Sequence, residues 1–358
     1  MNSRERVLRA LERESVDVVP HWVNFTSVEP QASFFGPKFF EADALTQTVF
    51  RARFLKSDIV NLPIATYPGY YDLFCERLYE GEDYLISQNP FGALHYWRKK
   101  PYFAKILYSP VRTKEDLKSI DPIDLSRFET KIETLSRLAD ALHERGYFVM
   151  TEIKGPFEAP WMYLRGFMPY MKDLVTDSGI ITKMIELSFG PMMDLAETVI
   201  EQAHLDGILI TDDLGERRSP FLSVDKYRRI YKPWHQKAVD RLHKYGVKVC
   251  LHSDGNVMPL VGEFVDAGFD SLDPLDPADN MRLGELKAQY GERITLIGGI
   301  TREIGTMNLQ AIDAHIQEVT REAGPYGLIL KCGGGIPPEM TLHSFMHYCA
   351  AIERYRRL

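Results

Sequence analysis

The chain has 358 residues, of which 45% are hydrophobic, and its formal net charge at pH 7 is −7. This apolar fraction is ample for a core and excludes wholesale disorder, and the acidic balance argues against a nucleic-acid or membrane-surface partner. The four cysteines have no CxxC spacing, the N-terminus carries no apolar signal segment, and no run is long enough to cross a bilayer. These features predict a cytoplasmic protein with reduced thiols.

The first part of the chain alternates helical stretches with short apolar runs. An amphipathic helix is predicted over residues 4–12 and a second helix over residues 41–56. Apolar strands are predicted at residues 21–25 and 58–63, each after a polar or helical stretch.

The region from residue 67 to residue 110 breaks this rhythm. It is rich in aromatic residues, and within it residues 84–87 and 93–98 are predicted to pair as a hairpin. We interpret the region as an insertion that covers one end of the fold, and a lid over a substrate is one role for it.

From residue 131 onwards the alternation of strand and helix is regular. Helices are predicted over residues 131–145, 180–204 (kinked at Gly190-Pro191), 224–245 and 338–357. Apolar strands are predicted at residues 147–151, 207–211, 247–251, 270–273, 294–299 and 328–332. Strands that are apolar on both faces are typical of a parallel sheet covered by helices, and about eight such units close into a barrel. A doubly wound open sheet is the alternative, but no GxGxxG or GxxxxGK[ST] loop follows a strand. We therefore predict an α/β fold, a (β/α)8 TIM barrel that spans residues 1–358 as a single domain.

Polar side chains follow the predicted strands at their carboxyl ends, where catalytic groups converge in a barrel. They are Glu152, Asp212, Asp213, His252, Asp254, Asp273 and Cys332. Burying several carboxylates together is costly unless they meet a cation or share protons, and histidine, aspartate and cysteine together suit a zinc ion with an open position. Structural alternatives exist, because the aspartates can cap helices and the histidine can be a hydrogen-bonded core residue.

Two features lie close to these residues in the sequence. Cys250 precedes His252 by two positions, so both side chains point to the same side of their strand; a buried core residue is the simpler interpretation and a metal ligand the alternative. A glycine run at residues 333–335 follows Cys332 and allows a ligand to approach closely, although turns also use glycine.

Ordered segments along nearly the whole chain resemble the uroporphyrinogen decarboxylase superfamily. They are residues 4–11, 16–20, Gly155-Pro156-Phe157, Asp212-Asp213-Leu214-Gly215, His252-Ser253-Asp254-Gly255-Asn256, Gly298-Gly299-Ile300 and Gly335-Ile336-Pro337-Pro338. The resemblance implies a (β/α)8 barrel with its cleft at the strand carboxyl ends. It also implies one of two activities: cofactor-free decarboxylation of porphyrinogens, or zinc-dependent methyl transfer to or from a corrinoid protein.

Several departures disfavour the decarboxylase activity. The decarboxylases carry an Arg-Gln-Ala-Gly-Arg segment whose arginines bind substrate carboxylates, whereas residues 20–27 here contain no arginine and none follows until Arg51. The decarboxylases also carry a histidine in the loop matched by residues 334–336, and a central aspartate where this chain has residues 64–66. Asp58 precedes the second strand, at the opposite end of the barrel, and is expected to be structural.

The methyltransferase branch holds zinc with a His-x-Cys pair and a distant cysteine. His252 and Cys332 match the first and last of these positions, and Asp254 stands where the middle cysteine would be. Glu152 or Asp213 is an alternative third ligand. In that case Asp254 would contact a zinc ligand and not the zinc ion itself. Replacing a thiolate by a carboxylate leaves a harder ion, which is better suited to polarising an oxygen leaving group.

We therefore predict a zinc-dependent methyltransferase that moves a methyl group from a small methyl ether to the cobalt of a separate corrinoid protein. An aromatic methyl ether is one candidate for the donor. A cofactor-free decarboxylase is the alternative. The predicted zinc ligands are His252, Asp254 and Cys332, and the predicted catalytic residues are Glu152 and Asp213. The predicted substrate-binding residues are Trp22, Phe25, Tyr67, Asp212 and Asn256, with core or lid packing as the alternative for the aromatic ones. The chain lacks an Asp-x-His-x-x-Gly corrinoid segment, and a homodimer is compatible with the sequence.

Overall fold

The computed structural model describes residues 1–25, 34–36, 38–63, 75–99, 101, 103–176, 178–324 and 326–357. One of the predicted substrate-binding residues, Tyr67, lies outside the described residues.

Twelve strands are formed, eight of them in a parallel sheet. The strands are β1 (His21–Trp22), β2 (Ile59–Pro63), β3 (Glu76–Glu80), β4 (Tyr84–Gln88), β5 (Leu94–Arg98), β6 (Phe103–Tyr108), β7 (Phe148–Lys154), β8 (Gly207–Thr211), β9 (Lys248–His252), β10 (Ser271–Leu275), β11 (Thr295–Ile300) and β12 (Leu328–Cys332). The parallel sheet has the order β1-β12-β11-β10-β9-β8-β7-β2. Its two end strands are joined by a hydrogen bond of 2.7 Å from the Asp58 N–H to the His21 carbonyl. The sheet is thus a nearly closed barrel, which confirms the predicted fold class.

The strands of the barrel alternate with helices. The helices are α1 (Ser3–Leu11), α2 (Lys38–Glu41), α3 (Ala44–Leu55), α4 (Glu129–His143), α5 (Phe167–Thr176), α6 (Ser178–Gln202), α7 (Val224–Ile230), α8 (Lys232–His243), α9 (Val261–Ala267), α10 (Leu283–Tyr290), α11 (Leu309–Ala323) and α12 (Leu342–Tyr355). A π-helical turn, Pro160–Arg165, precedes α5. The single helix predicted over residues 224–245 is in fact two, α7 and α8, with the break at Tyr231. Pro233 stands in the first turn of α8, where a residue without an N–H is tolerated.

Helix α1 closes the amino-terminal end of the barrel. Its side chains Val7, Ala10 and Leu11 belong to the same buried cluster as the inward-facing residues of the strands. Asp58, which directly precedes β2, is nearly fully buried and accepts hydrogen bonds from Arg6 (2.7 Å) and Arg356 (3.1 Å). Asp58 therefore ties the barrel to α1 and to the end of α12, which is the structural role expected for it.

The insertion after β2 forms a second, antiparallel sheet of order β3-β4-β5-β6. The hairpin predicted at residues 84–87 and 93–98 is confirmed as β4 and β5. One face of this sheet carries buried side chains, among them Leu85, His95 and Trp97, and the other face carries the stacked rings of Tyr84 and Tyr96. The insertion thus has one face toward the protein interior and one face toward solvent.

Among the described residues, none of the helices combines the length and the apolar character needed to span a membrane.

Candidate metal centre

The barrel interior is apolar at its amino-terminal end and charged at its carboxyl-terminal end. Because side chains alternate along a strand, the interior positions of β9 are Cys250 and His252, and those of β12 are Ile329 and Lys331. Cys250 and Ile329 lie in the apolar interior cluster, whereas His252 and Lys331 lie one step further toward the strand ends. The apolar layer therefore forms the floor of a charged site.

Three side chains at the strand ends form a group that can hold a metal ion. Asp213, His252 and Asp254 each offer one ligand atom, and these atoms lie within 4.8 Å of one another. His252 Nε2 is 3.7 Å from Asp213 Oδ1 and 3.9 Å from Asp254 Oδ2. All three side chains are partly exposed, so an ion and a substrate can reach them.

The loops after β8 and β9 are in close backbone contact, which brings the two aspartates together. The N–H of Asp254 donates to Asp213 Oδ1 at 2.9 Å. Gly255 adopts φ +87°, and a β-carbon at this position would overlap the carbonyl group of Gly215. Glycine at position 255 is therefore required for the close approach of the two loops.

A buried carboxylate fixes the orientation of the His252 ring. Asp273 Oδ2 is 2.7 Å from His252 Nδ1, so the ring turns its Nε2 toward the two aspartates. Asp273 also accepts hydrogen bonds of 2.6 and 2.8 Å from Lys331 Nζ. The Lys331 ammonium lies 3.7 Å from the ring centroid of Trp22, a cation–π contact. A metal-binding histidine whose other nitrogen is held by a carboxylate is a common arrangement in metal sites.

These contacts shift the pKa values of the group. Burial lowers the pKa of His252, but the hydrogen bond that its ring donates to Asp273 and the charges of Asp254 and Asp213 outweigh burial and raise the pKa to about 9. Burial raises the pKa of Asp254 to about 6, against the opposing attraction of His252. Without a cation the site thus holds protons more tightly than ordinary histidine and aspartate side chains do, and a metal ion must displace them.

The third predicted zinc ligand, Cys332, is not in this group. Lys331 takes the interior position on β12, so the next side chain, Cys332, points to the opposite face of the strand. Its Sγ is 3.2 Å from the Gly335 carbonyl oxygen, and burial raises the pKa of the thiol. The group that the structure brings together thus contains Asp213, where the predicted ligand set has Cys332. The Cys250 thiol is buried in the apolar floor, with its pKa raised to about 12.

A second set of charged residues lies in the interior beside Asp213. Glu152 and Lys154 are alternate residues of β7, and Glu152 accepts a hydrogen bond from Asn61 on β2. Lys154 Nζ is 3.1 Å from Glu158, and both side chains are almost completely buried. Burial raises the pKa of Glu158, against the opposing attraction of Lys154. Glu152 therefore faces the barrel interior, as Lys154 does, and Lys154 is paired with Glu158.

Three of the predicted substrate-binding residues make contacts within the protein. Asp212 is fully buried and accepts the backbone N–H groups of Phe157 (2.8 Å) and Glu158 (2.7 Å), so it caps the turn after β7. Asn256 Oδ1 accepts from the N–H of Met258. Phe25 packs in an aromatic cluster and contacts the ring of Phe345.

Two residues of the site were missed by sequence reasoning, Lys331 and Lys154. The available signal was a lysine inside an otherwise apolar, buried strand, because lysine is almost never buried without a partner. The fourth predicted substrate residue, Trp22, is buried beneath Lys331 and belongs to the apolar floor.

The donor set fits a divalent cation. It consists of two carboxylates and one imidazole, and Asp254 Oδ1 is buried without a hydrogen-bond partner among the described residues. A buried carboxylate oxygen without a partner is costly, and a cation between the three side chains would compensate it. Ligand atoms bound to one zinc ion are separated by roughly 3–3.5 Å, so the three side chains need only a small contraction.

Comparisons with known proteins identify relatives of this chain. A model of the uroporphyrinogen decarboxylase (URO-D) family matches residues 94–355, and no curated protein matches the sequence. A methyltransferase from Methanosarcina mazei is 17% identical and superposes with a TM-score of 0.73 over 99% of this chain and 99% of its own. A B12-independent methionine synthase from Shewanella sp. W3-18-1 is 10% identical, with a TM-score of 0.47 over 96% of this chain and 98% of its own. At 17% identity, the match to the methyltransferase establishes a shared fold.

Proposed function

The chain belongs to the uroporphyrinogen decarboxylase (URO-D) family, and we propose that it is a zinc-dependent methyltransferase of this family. It would move a methyl group from a small methyl ether to the cobalt of a separate corrinoid protein. The observation that carries the proposal is the group Asp213, His252 and Asp254, with the His252 ring held from behind by Asp273. The fold shared with the Methanosarcina mazei methyltransferase is consistent with this activity.

Asp213, His252 and Asp254 are the residues that would hold the zinc ion. When bound, zinc supplies Lewis-acid polarisation of an ether oxygen, which makes the demethylated product a better leaving group. Two carboxylates and an imidazole form a harder ligand set than one with thiolates, and hard ligands favour an oxygen substrate over a sulfur one. This preference is the reason for proposing an ether as the methyl donor.

The other residues of the site have positioning and acid–base roles in this proposal. Asp273 accepts the Nδ1–H of His252 and leaves the lone pair of Nε2 for the metal. Lys331 compensates the charge of Asp273. Glu152 remains the proposed acid–base group, since one of its oxygens accepts from Asn61 and the other makes no hydrogen bond to a described residue. The Trp22 ring, which belongs to the apolar floor and lies under Lys331, limits the depth to which a substrate can enter.

The decarboxylase alternative fits the charges of the site less well. A polycarboxylated substrate needs cations that are free to bind it. Lys331 is already paired with Asp273, and Lys154 with Glu158. Among the described residues at the strand ends, the partly exposed group is the acidic one formed by Asp213, His252 and Asp254. Such a group attracts a cation and repels a carboxylate.

The metal content of the purified protein tests this proposal. We expect about one zinc ion per chain, lost in His252→Ala and Asp254→Ala and retained in Cys332→Ala, the matched control that removes a nearby side chain outside the group. Circular dichroism would verify that each variant is folded. A wild-type protein that resists zinc loading would contradict the proposed ligand set. Loss of zinc from Cys332→Ala would also contradict it.

The activity is tested separately with free cob(I)alamin as the methyl acceptor and 2-methoxyphenol as the first donor. We expect methylation of the cobalt, followed in its absorption spectrum, by the wild type and by Cys332→Ala but not by His252→Ala. A zinc-loaded wild type that methylates cobalamin from none of a panel of methyl ethers would contradict the ether as donor.

A further inference from the structure

The antiparallel sheet of the insertion has two edge strands of different character. The edge strand β3 carries Glu76, Arg77 and Glu80 among its five residues, whereas β6 (Phe103–Tyr108) carries a single charge, that of Lys105. Charged edge strands resist pairing with other chains, and apolar ones do not. In the described part of the chain, the backbone hydrogen bonds of β6 all go to β5. The open side of β6 therefore presents N–H and C=O groups to which no described strand is paired.

A cleft of about 500 Å³ runs along this strand. One wall consists of residues 104–109, and the other consists of the π-helical turn and the first residues of α5, up to Pro169. Three apolar side chains that line it are exposed to solvent: Leu107 (45%), Tyr108 (46%) and Met168 (74%). Clustered apolar exposure of this kind marks binding surfaces. The cleft is too small for a folded domain. It borders β6 and extends over His95 and Trp97 on the inner face of the sheet, so it can take the side chains that a strand added to β6 would direct to that face.

The charged residues that line the cleft are basic, although the whole chain has a net negative charge. Its charged lining residues are Lys105 and Arg165, and no acidic residue lines it. Arg165 is compensated by Asp173 at 2.7 Å. Lys105 has no ion-pair partner among the described residues, and its ammonium lies 5.5 Å from the ring centroid of Tyr96. Because the Tyr96 ring lies on the solvent face of the sheet, a strand added to β6 would meet Lys105 with the side chains of that face, and acidic ones would complement it.

We propose that the open edge of β6 and the cleft beside it bind an extended segment of a partner protein, which adds a fifth strand to the insertion sheet. The segment has apolar side chains on one face and acidic side chains on the other. Main-chain hydrogen bonds to β6 supply affinity in this binding mode, and pockets for alternate side chains supply specificity. A second copy of the chain fits less well, because pairing of two β6 strands would add a second Lys105 and no acidic partner.

A synthetic peptide tests the proposal without any methyl-transfer assay. The probe is a fluorescein-labelled hexapeptide of alternating valine and glutamate, and its binding is followed by fluorescence anisotropy. Hydrogen exchange of the protein with and without the peptide locates the bound segment. We expect saturable binding and slower exchange of the backbone amides of residues 103–109. The same peptide with its third residue replaced by proline, which removes an N–H and cannot continue a ladder, should bind at least fivefold more weakly.

Two variants on the same helix separate the cleft from general surface charge. Met168→Glu places a negative charge at the cleft, whereas Val175→Glu makes the same change in charge at a site that is equally exposed (77%) and does not line the cleft. We expect Met168→Glu to weaken peptide binding at least fivefold and Val175→Glu to change it less than twofold. Unchanged exchange of residues 103–109, or equal effects of the two variants, would overturn the proposal. So would self-association of the free protein that Met168→Glu abolishes, since the occupant would then be a second copy.

Discussion

The substitution Asp273→Asn tests whether a compensated charge network positions the metal-binding histidine. Asp273 is fully buried and is the hydrogen-bond partner of both His252 and Lys331. The asparagine variant keeps the size of the side chain but leaves the Lys331 ammonium, which is 2% exposed, without its counter-charge. Removing one partner of a buried ion pair costs about 3–5 kcal/mol of the free energy of unfolding. This is a large part of the roughly 5–15 kcal/mol that typically stabilises a folded protein.

The same substitution should weaken metal binding. Loss of a carboxylate behind a ligating histidine lowers metal affinity about 10–100-fold. Urea unfolding of the metal-free protein measures the first effect, and competition for zinc with a chelating dye measures the second. A second substitution, Lys331→Met, removes the orphaned charge, so we expect the double variant to regain most of the lost stability but not the metal affinity.

A matched control exists where Asp270, at the amino-terminal end of β10, meets His243 at the end of α8. Asp270 is 2.8 Å from His243, but the His243 side chain is 40% exposed. Asp270→Asn should therefore cost about 1 kcal/mol of unfolding free energy and leave metal affinity unchanged. The reasoning is refuted if Asp273→Asn is within about 1 kcal/mol of the wild type, or if Lys331→Met restores nothing in the Asp273→Asn background.

Further predictions concern other parts of the barrel. Hydrogen bonds from Arg228 and Lys232 lower the pKa of Glu263 from 4.5 to about 2; because the folded-state pKa is depressed, this stabilisation is present above pH 4.5 and is lost as the pH falls toward 2. Between pH 4.5 and pH 2 the free energy of unfolding, measured with urea, should therefore fall less for Glu263→Gln than for the wild type, by about 1 kcal/mol. An equal fall in the two proteins would contradict the assignment. Gly255→Ala should push the loop that carries the metal-binding aspartate off its neighbour and lower zinc affinity at least tenfold by chelator competition; an unchanged affinity would show that the loop contact is dispensable. Asp58→Asn leaves two arginines without their buried partner and should lower the unfolding free energy by about 3 kcal/mol, as measured by urea unfolding, with zinc content unchanged as the control.

The pattern of apolar runs was sufficient to predict the barrel. The strands expected at residues 207–211 and 328–332 are β8 and β12 without any change of bounds. Where the prediction differs, a local cause is visible: β7 continues to Lys154 because Glu152 and Lys154 find partners inside the barrel, although their charges suggested that the strand ended earlier. The break between α7 and α8 lies at Tyr231, two residues before Pro233, which has no N–H to continue the hydrogen-bond ladder of α7.

The candidate site was predicted in part. His252 and Asp254 were expected as ligands and lie together in the structure, and Asp213, named as catalytic and as an alternative ligand, completes the group. The prediction of Cys332 depended on which face of β12 each residue occupies, and a shift of one residue exchanges the two faces. Sequence cannot fix that shift for a strand that is apolar on both faces. The interior lysine, Lys331, decides it, because its charge is stabilised only where Asp273 lies.

The pairing of β1 with β12 joins residues 21–22 to residues 330–331, almost the whole length of the described chain apart. During synthesis the aspartates of β8, β9 and β10 therefore leave the ribosome before the lysine that compensates them. Until β12 inserts, Asp273 lacks the ammonium of Lys331, and the carboxylates around His252 lack that buried cation. The order of translation thus implies that the complete set of charges in the proposed metal site is assembled only after the final strand has docked.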